Sequence, residues 1–297
     1  MKFLSCLAAA AITSAVAAER TRCGNRPPPD ELRVDLNGVA RRGIYRNATT
    51  RSVDVYVHVI TSEDDEGLYT DDQIASQVRL LTAISVGVEF KLTLTSQIDV
   101  MNESYAPSGI SFNLLETDYT VNNDWASITQ DSQEEYDMKS SLRKGTYGNL
   151  NIYFTEDLIS STGDELLGFC PFPVGAPSDD QLTLDGCTIL AASMPGGTEE
   201  NFDLGLTVVH EVGHWFGLFH VFEGFACSGP GDQVNDTPLQ QEMTSGCPTS
   251  QDSCPDAPGT DSIHNYMDYS YDACLTEFTQ NQGVRMFSIY DANRAGK

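Results

Sequence analysis

His210-Glu211-Val212-Gly213-His214-Trp215-Phe216-Gly217-Leu218-Phe219-His220 decides the reading of this chain. The pattern predicts a helix over 204–216, with Asp203 or Asn201 near its N-cap. Side chains four apart on a helix are separated by about 40° around the axis and about 6 Å along it, so His210 and His214 reach one ion. Glu211, about 100° from His210, stands beside that ion and outside its ligand set. Gly217 permits a positive φ, which lets the chain turn back and deliver His220 as a third ligand. Three neutral imidazoles with one open position are the donor set of a catalytic zinc, whereas structural zinc sites fill all four positions, most often with cysteine. Such an ion brings the acidity of a water towards neutrality and polarises a carbonyl. Glu211 is placed to take the water's proton as general base. Three of the chain's five histidines are spent here. The other two, His58 and His264, read as structural.

Working towards the N-terminus, Val53–Ile60 alternates valines against Asp54, Tyr56 and His58, the period of a half-buried strand. A helix is expected after Thr70-Asp71-Asp72, a strand over 109–116, a helix over 132–144, a strand over 149–155 and a short strand over 187–192. This alternation, followed by the histidine helix and a turn-rich tail after Gly224, is an α/β (α+β) order. One segment does not fit. Deleting residues 78–97 places Ile74, Ile98 and Met101 at i, i+4 and i+7, one helix face. The segment is either a retained intron or a genuine insertion that adds a strand.

The ends and the composition lead to the expectation of a secreted chain. Residues 1–18 have a basic start, a short apolar run and a small-residue end, the form of a signal peptide and not of a membrane span. Residues 19–51 read as a leader, with Pro27-Pro28-Pro29 and a processing-like Arg41-Arg42, ahead of a catalytic domain over 52–297. Seven cysteines remain after the signal is removed; in an oxidising compartment six pair, in fifteen possible ways, and one is left over. Sequons stand at Asn47, Asn102 and Asn235. Acidic residues number 43 against 17 basic, a formal net charge of −26. That balance argues against nucleic acid or an anionic membrane as partner, and no later run is apolar enough to cross a bilayer.

The eleven-residue stretch, with Asn265-Tyr266-Met267-Asp268-Tyr269 downstream, resembles a metzincin and its Met-turn. Thr207-Val208-Val209 before it and Gly231-Asp232-Gln233-Val234-Asn235-Asp236-Thr237-Pro238 after it are similar to the pappalysin family, and more narrowly to the secreted extracellular metalloproteases of fungi. The resemblance spans about residues 53–294. It implies a monomeric, secreted zinc endopeptidase acting on protein and peptide substrates. Its fold would have an N-terminal twisted mixed sheet with helices, the active-site helix, and a loop-rich, disulfide-bonded C-terminal subdomain across a cleft. Carried over by position, His210, His214 and His220 bind zinc, Glu211 is the base and Met267 forms an apolar floor. Tyr269 either stabilises the oxyanion or is a packed aromatic. The likeness also implies disulfides Cys227–Cys254 and Cys247–Cys274, which leaves Cys170–Cys187 and an unpaired Cys23. Cys23, in Arg22-Cys23-Gly24, resembles the cysteine switch of some metzincin proforms; it is a zinc-blocking thiolate or a free cysteine. Asp232 and Asp236 are calcium ligands, as in part of the family, or solvated loop acids. Asp268 and Asp272 lie near the expected S1′ region and would favour basic side chains. Residues near 186–192 are the expected edge strand for an extended substrate. Two other classes are a binding module on a dead protease scaffold and a zinc amidase of small molecules.

Overall fold

The computed structural model describes residues 20–33, 50–68, 82–83, 90–91 and 96–297. The expected signal peptide, the Arg41-Arg42 site, the Asn47 sequon and the helix after Asp72 lie outside them. Within 78–97, Thr82–Ala83 pairs antiparallel with Phe90–Lys91, and Ser96 caps the following helix.

The organising element is β1 (Arg51–Thr61). β2 (Ile110–Val121) pairs with it in parallel on one side, and β3 (Leu150–Thr155) in parallel on the other. The alternation that reads as half-buried holds only for the first half of β1. From Val57 to Thr61 every residue is buried, as expected for a parallel strand covered on both faces. His58 falls in that stretch, its ring stacked on Tyr153 at 4.7 Å, with Nδ1 2.9 Å from Asp118 and Nε2 2.9 Å from Asn151 Oδ1. β3, buried at every residue, pairs with β5 (Cys187–Leu190), and β4 (Gly168–Phe169) closes the sheet antiparallel to β5. The strand order is β2-β1-β3-β5-β4. Residues 187–190 are therefore internal, a correction to the expected edge. The reason is β4, too short to stand out from the sequence.

α1 (Gln97–Tyr105) starts at a Ser96/Asp99 capping box and buries Ile98, Met101 and Tyr105 against the sheet and against α3 (Leu206–Trp215). The Tyr105 hydroxyl donates to Val209 O at 2.8 Å, tying the two helices. α2 (Gln133–Leu142), capped by Ser132, covers the other face. α3 is buried throughout, and its N-cap is Gly205, not Asp203 or Asn201. A local cap is unnecessary because the carboxylate of distant Asp272 accepts from Leu204 N and Leu206 N at 3.1 and 3.4 Å. The chain after Gly217 has little regular structure until α4 (Gln280–Asn293), which the turn-rich reading misses. Its Thr279/Gln282 capping box was a legible signal; its opening Gln-Asn-Gln-Gly masked it. Arg294, fully buried at its end, forms a bidentate pair with Asp185 at 2.9 and 3.0 Å and lies over Trp215. Disulfides join Cys170–Cys187, Cys227–Cys254 and Cys247–Cys274. Among the described residues no helix is long and apolar enough to cross a membrane.

Candidate metal centre

α3 carries His210 and His214 on one face, and each ring is fixed through its inner nitrogen. His210 Nδ1 lies 2.7 Å from Tyr266 O, and His214 Nδ1 lies 2.8 Å from Leu218 O. Carbonyls only accept, so both Nδ1 atoms carry the proton and both Nε2 atoms present lone pairs. Those two Nε2 atoms are 3.2 Å apart, and His220 Nε2 is 3.1 Å from that of His214. Burial pushes all three imidazoles down, His214 to about 4 and the others well below the usual range. Neutral lone pairs this close repel unless a cation lies between them. A tetrahedral zinc with Zn–N near 2.05 Å separates its nitrogens by about 3.3 Å, so the donor set fits zinc.

Two glycines make this arrangement possible. At Gly213 a Cβ would sit 2.5 Å from Met267 Sδ, so the fourth residue of the stretch must be bare for Met267 to lie under the helix. Gly217 adopts φ 92°, and a Cβ there would meet Ile289 at 2.6 Å; the chain reverses at this point and returns His220 to the centre. Asn265 Oδ1 holds Met267 N at 3.0 Å, and Val221 N donates to Met267 O at 3.3 Å, joining the Met-turn to the segment carrying His220.

Glu211 is fully buried, and burial pushes its carboxyl up to about 8. Its Oε1 has no hydrogen-bond partner among the described residues, and Oε2 is 3.4 Å from Cys23 Sγ. Cys23 Sγ and the three imidazoles present ligand atoms within 4.8 Å of one another. His58 and His264 lie outside this group. Tyr269 places its hydroxyl 3.3 Å from His220 Nε2 and donates to Cys23 O at 3.4 Å.

Residues 21–24 reach the centre by backbone pairing. Thr21 N donates to Glu165 O at 2.8 Å, Leu167 N to Thr21 O at 3.0 Å and Gly24 N to Gly168 O at 2.9 Å. Residues 21–24 thus extend the sheet beyond β4. Sequence reasoning missed the partner that fixes them. Arg22, 3% exposed, inserts beside Asp272, 2% exposed, at 3.0 Å, donates to Ser270 O at 2.8 Å and lies against the Phe202 ring. An arginine directly before the odd cysteine was the available signal. Asp268, grouped with Asp272 on sequence, does not face this slot. It is buried and accepts from Thr244 N at 3.1 Å, Gln240 Nε2 at 3.1 Å and Tyr269 N at 2.8 Å.

The remaining candidates lie apart. Asp232 is buried, its carboxyl pushed up to about 7 by burial; Oδ1 accepts from Val234 N and Thr237, and Oδ2 has no partner among the described residues. Asp236 is exposed and caps α4 through Thr279 and Asn281 N. Asn235 is exposed. Asn102 is half-buried, and both ends of its amide bond the Phe112 backbone, at 2.7 and 3.2 Å.

Comparison with known proteins agrees with this geometry. The peptidase family model described as "Pregnancy-associated plasma protein-A" matches residues 138–291. An extracellular metalloprotease of Pyricularia oryzae is 43% identical over 99% of this chain and 97% of its own length. Extracellular metalloprotease 1 of Coccidioides posadasii is 44% identical over 94% of this chain and 92% of its own. Among solved structures, mature mirolysin of Tannerella forsythia in complex with a cleaved peptide is 28% identical, with a TM-score of 0.63, over 83% of this chain and 96% of that one. A promirolysin mutant from the same organism is 26% identical, with a TM-score of 0.66, over 92% and 95%. The chain belongs to the pappalysin family of metalloproteases, that of the fungal extracellular enzymes it resembles.

Proposed function

We propose that this metalloprotease is a secreted zinc endopeptidase, made with a leader that blocks its own metal, and that it digests extracellular protein. The observation that carries the reading is the convergence of three imidazole lone pairs beside a buried carboxylate with one unpartnered oxygen. His210, His214 and His220 would hold the ion. Zinc, when bound there, supplies the Lewis acidity that activates a water and polarises the scissile carbonyl. Glu211 takes the water's proton and returns it to the departing amine. The Tyr269 hydroxyl, beside His220, donates to the oxyanion. Met267 keeps the floor dry.

Cys23 supports latency. Its sulfur lies with the three imidazoles, where a thiolate would fill a fourth position, and residues 21–24 pair with the backbone of 165–168 beside them. The promirolysin match covers 92% of this chain where the mature form covers 83%, a difference that supports a shared leader. The same segment favours a polypeptide substrate over a small amide, because an extended chain already pairs with the strand edge. The slot that Arg22 fills, floored by Asp272, is one into which a basic substrate side chain would fit once the leader leaves. A calcium site is supported by Asp232, with its buried unpartnered oxygen, and not by Asp236, whose oxygens cap a helix. The extracellular names of the relatives support secretion.

The test is casein hydrolysis by the secreted protein. We expect 1,10-phenanthroline to abolish it and added zinc to restore it. Hydrolysis that survives complete metal removal excludes the reading.

A further inference from the structure

The three histidines are not held alike. His210 and His214 sit on a helix, each with Nδ1 bound to a backbone carbonyl, whereas His220 comes from an irregular segment. What fixes its ring is aromatic. Phe222, 2% exposed, lies face to face with the His220 imidazole, at 4.8 Å between centroids and 6° between planes. His210 lies on the imidazole at 5.2 Å and 28°. A turn in which Glu223 N donates to His220 O at 3.0 Å folds Phe222 back onto the histidine two residues before it. The same ring meets Tyr269 edge-on at 4.9 Å and 78°.

We infer that Phe222 is the positioning residue for the third metal ligand, doing by stacking what the carbonyls do for the other two. This rests on the zinc reading given above. An imidazole that donates its lone pair to a cation becomes electron-poor, and an aromatic face attracts such a ring more than a neutral one. The stack is therefore stronger with metal bound, and by linkage it raises metal affinity and not only fold stability. A leucine at this position fills most of the volume but offers no face. The Tyr269 ring that Phe222 meets edge-on carries the hydroxyl 3.3 Å from His220 Nε2.

The experiment compares Phe222→Leu, Phe222→Tyr and His220→Ala in the full chain by zinc competition against a chromophoric chelator. Melting of the metal-free protein and the visible spectrum of the cobalt-substituted form are read alongside. Phe222→Leu is expected to weaken zinc about three- to tenfold, to shift the cobalt spectrum and to lower metal-free melting by only a few degrees. Phe222→Tyr is expected to bind as the parent does. Parent-like zinc affinity and spectrum in Phe222→Leu overturn the proposal, as does a loss shared equally by Phe222→Tyr. If His220→Ala itself binds zinc like the parent, the zinc reading fails first.

Discussion

The two halves of the centre are built on opposite principles. The helical half, His210, Glu211 and His214, stands on α3, whose every residue is buried and whose backbone sets the spacing. The loop half, His220, Met267, Tyr269 and Asp272, stands on a chain with little regular structure, tied by the Cys227–Cys254 and Cys247–Cys274 disulfides and by carboxylates bound to backbone N–H groups. Helix geometry is inherited from the backbone, whereas loop geometry has to be assembled one contact at a time. Groups in the first half should fail outright when altered. Groups in the second should fail by degrees and should respond to disulfides and cations.

The sharpest departure from that contrast would come from Tyr269. If it stabilises the oxyanion, Tyr269→Phe lowers kcat about a hundredfold with little change in KM, since one donor of this kind contributes about 10²–10³. Unchanged turnover assigns the phenol to packing. Next in size, replacing Cys247 and Cys274 together by alanine should cost about 2–4 kcal/mol. Proteolysis should then be lost at a lower temperature than the far-ultraviolet signal of the sheet and α3. Coincident losses would show that the halves are one cooperative unit.

How much was readable follows the same division. His210, Glu211 and His214 are legible because a period of 3.6 turns sequence spacing into direction. β1, β2, β3 and α2 are legible from alternation and from Ser132 as a cap. Gly205 at the start of α3 was not foreseen, because its cap partner Asp272 is 66 residues from Leu206. Arg22 and Asp272 meet across 250 residues, and no local pattern encodes that. β4 escaped because two residues cannot show a period. Phe222 reads only as an aromatic after the last histidine, since nothing in sequence distinguishes a stacked ring from a packed one.

Two smaller effects separate the segment around Cys23 from the loops. A Cys23→Ser precursor should activate severalfold faster than the parent in a timed conversion assay, because a hydroxyl replaces a thiolate at the fourth position. Equal rates remove the switch. Last is Asp232. Its carboxyl is raised, so the folded state favours the protonated form, and stability falls as pH rises from the ordinary carboxylate range near 4 through about 7. Calcium bound at Asp232 would offset that loss. It should raise Tm by a few degrees at pH 8, less at pH 5, and not at all in Asp232→Asn. A Tm indifferent to calcium at pH 8 removes the site.

Glu211→Gln is the most direct test of the centre, because the amide keeps the shape and the three imidazoles but cannot take a proton. The purified variant, freed of its leader, should retain one zinc per chain and cleave casein no faster than a metal-free control. Cleavage near the parent rate, with the zinc in place, would contradict the assignment of Glu211 as the base.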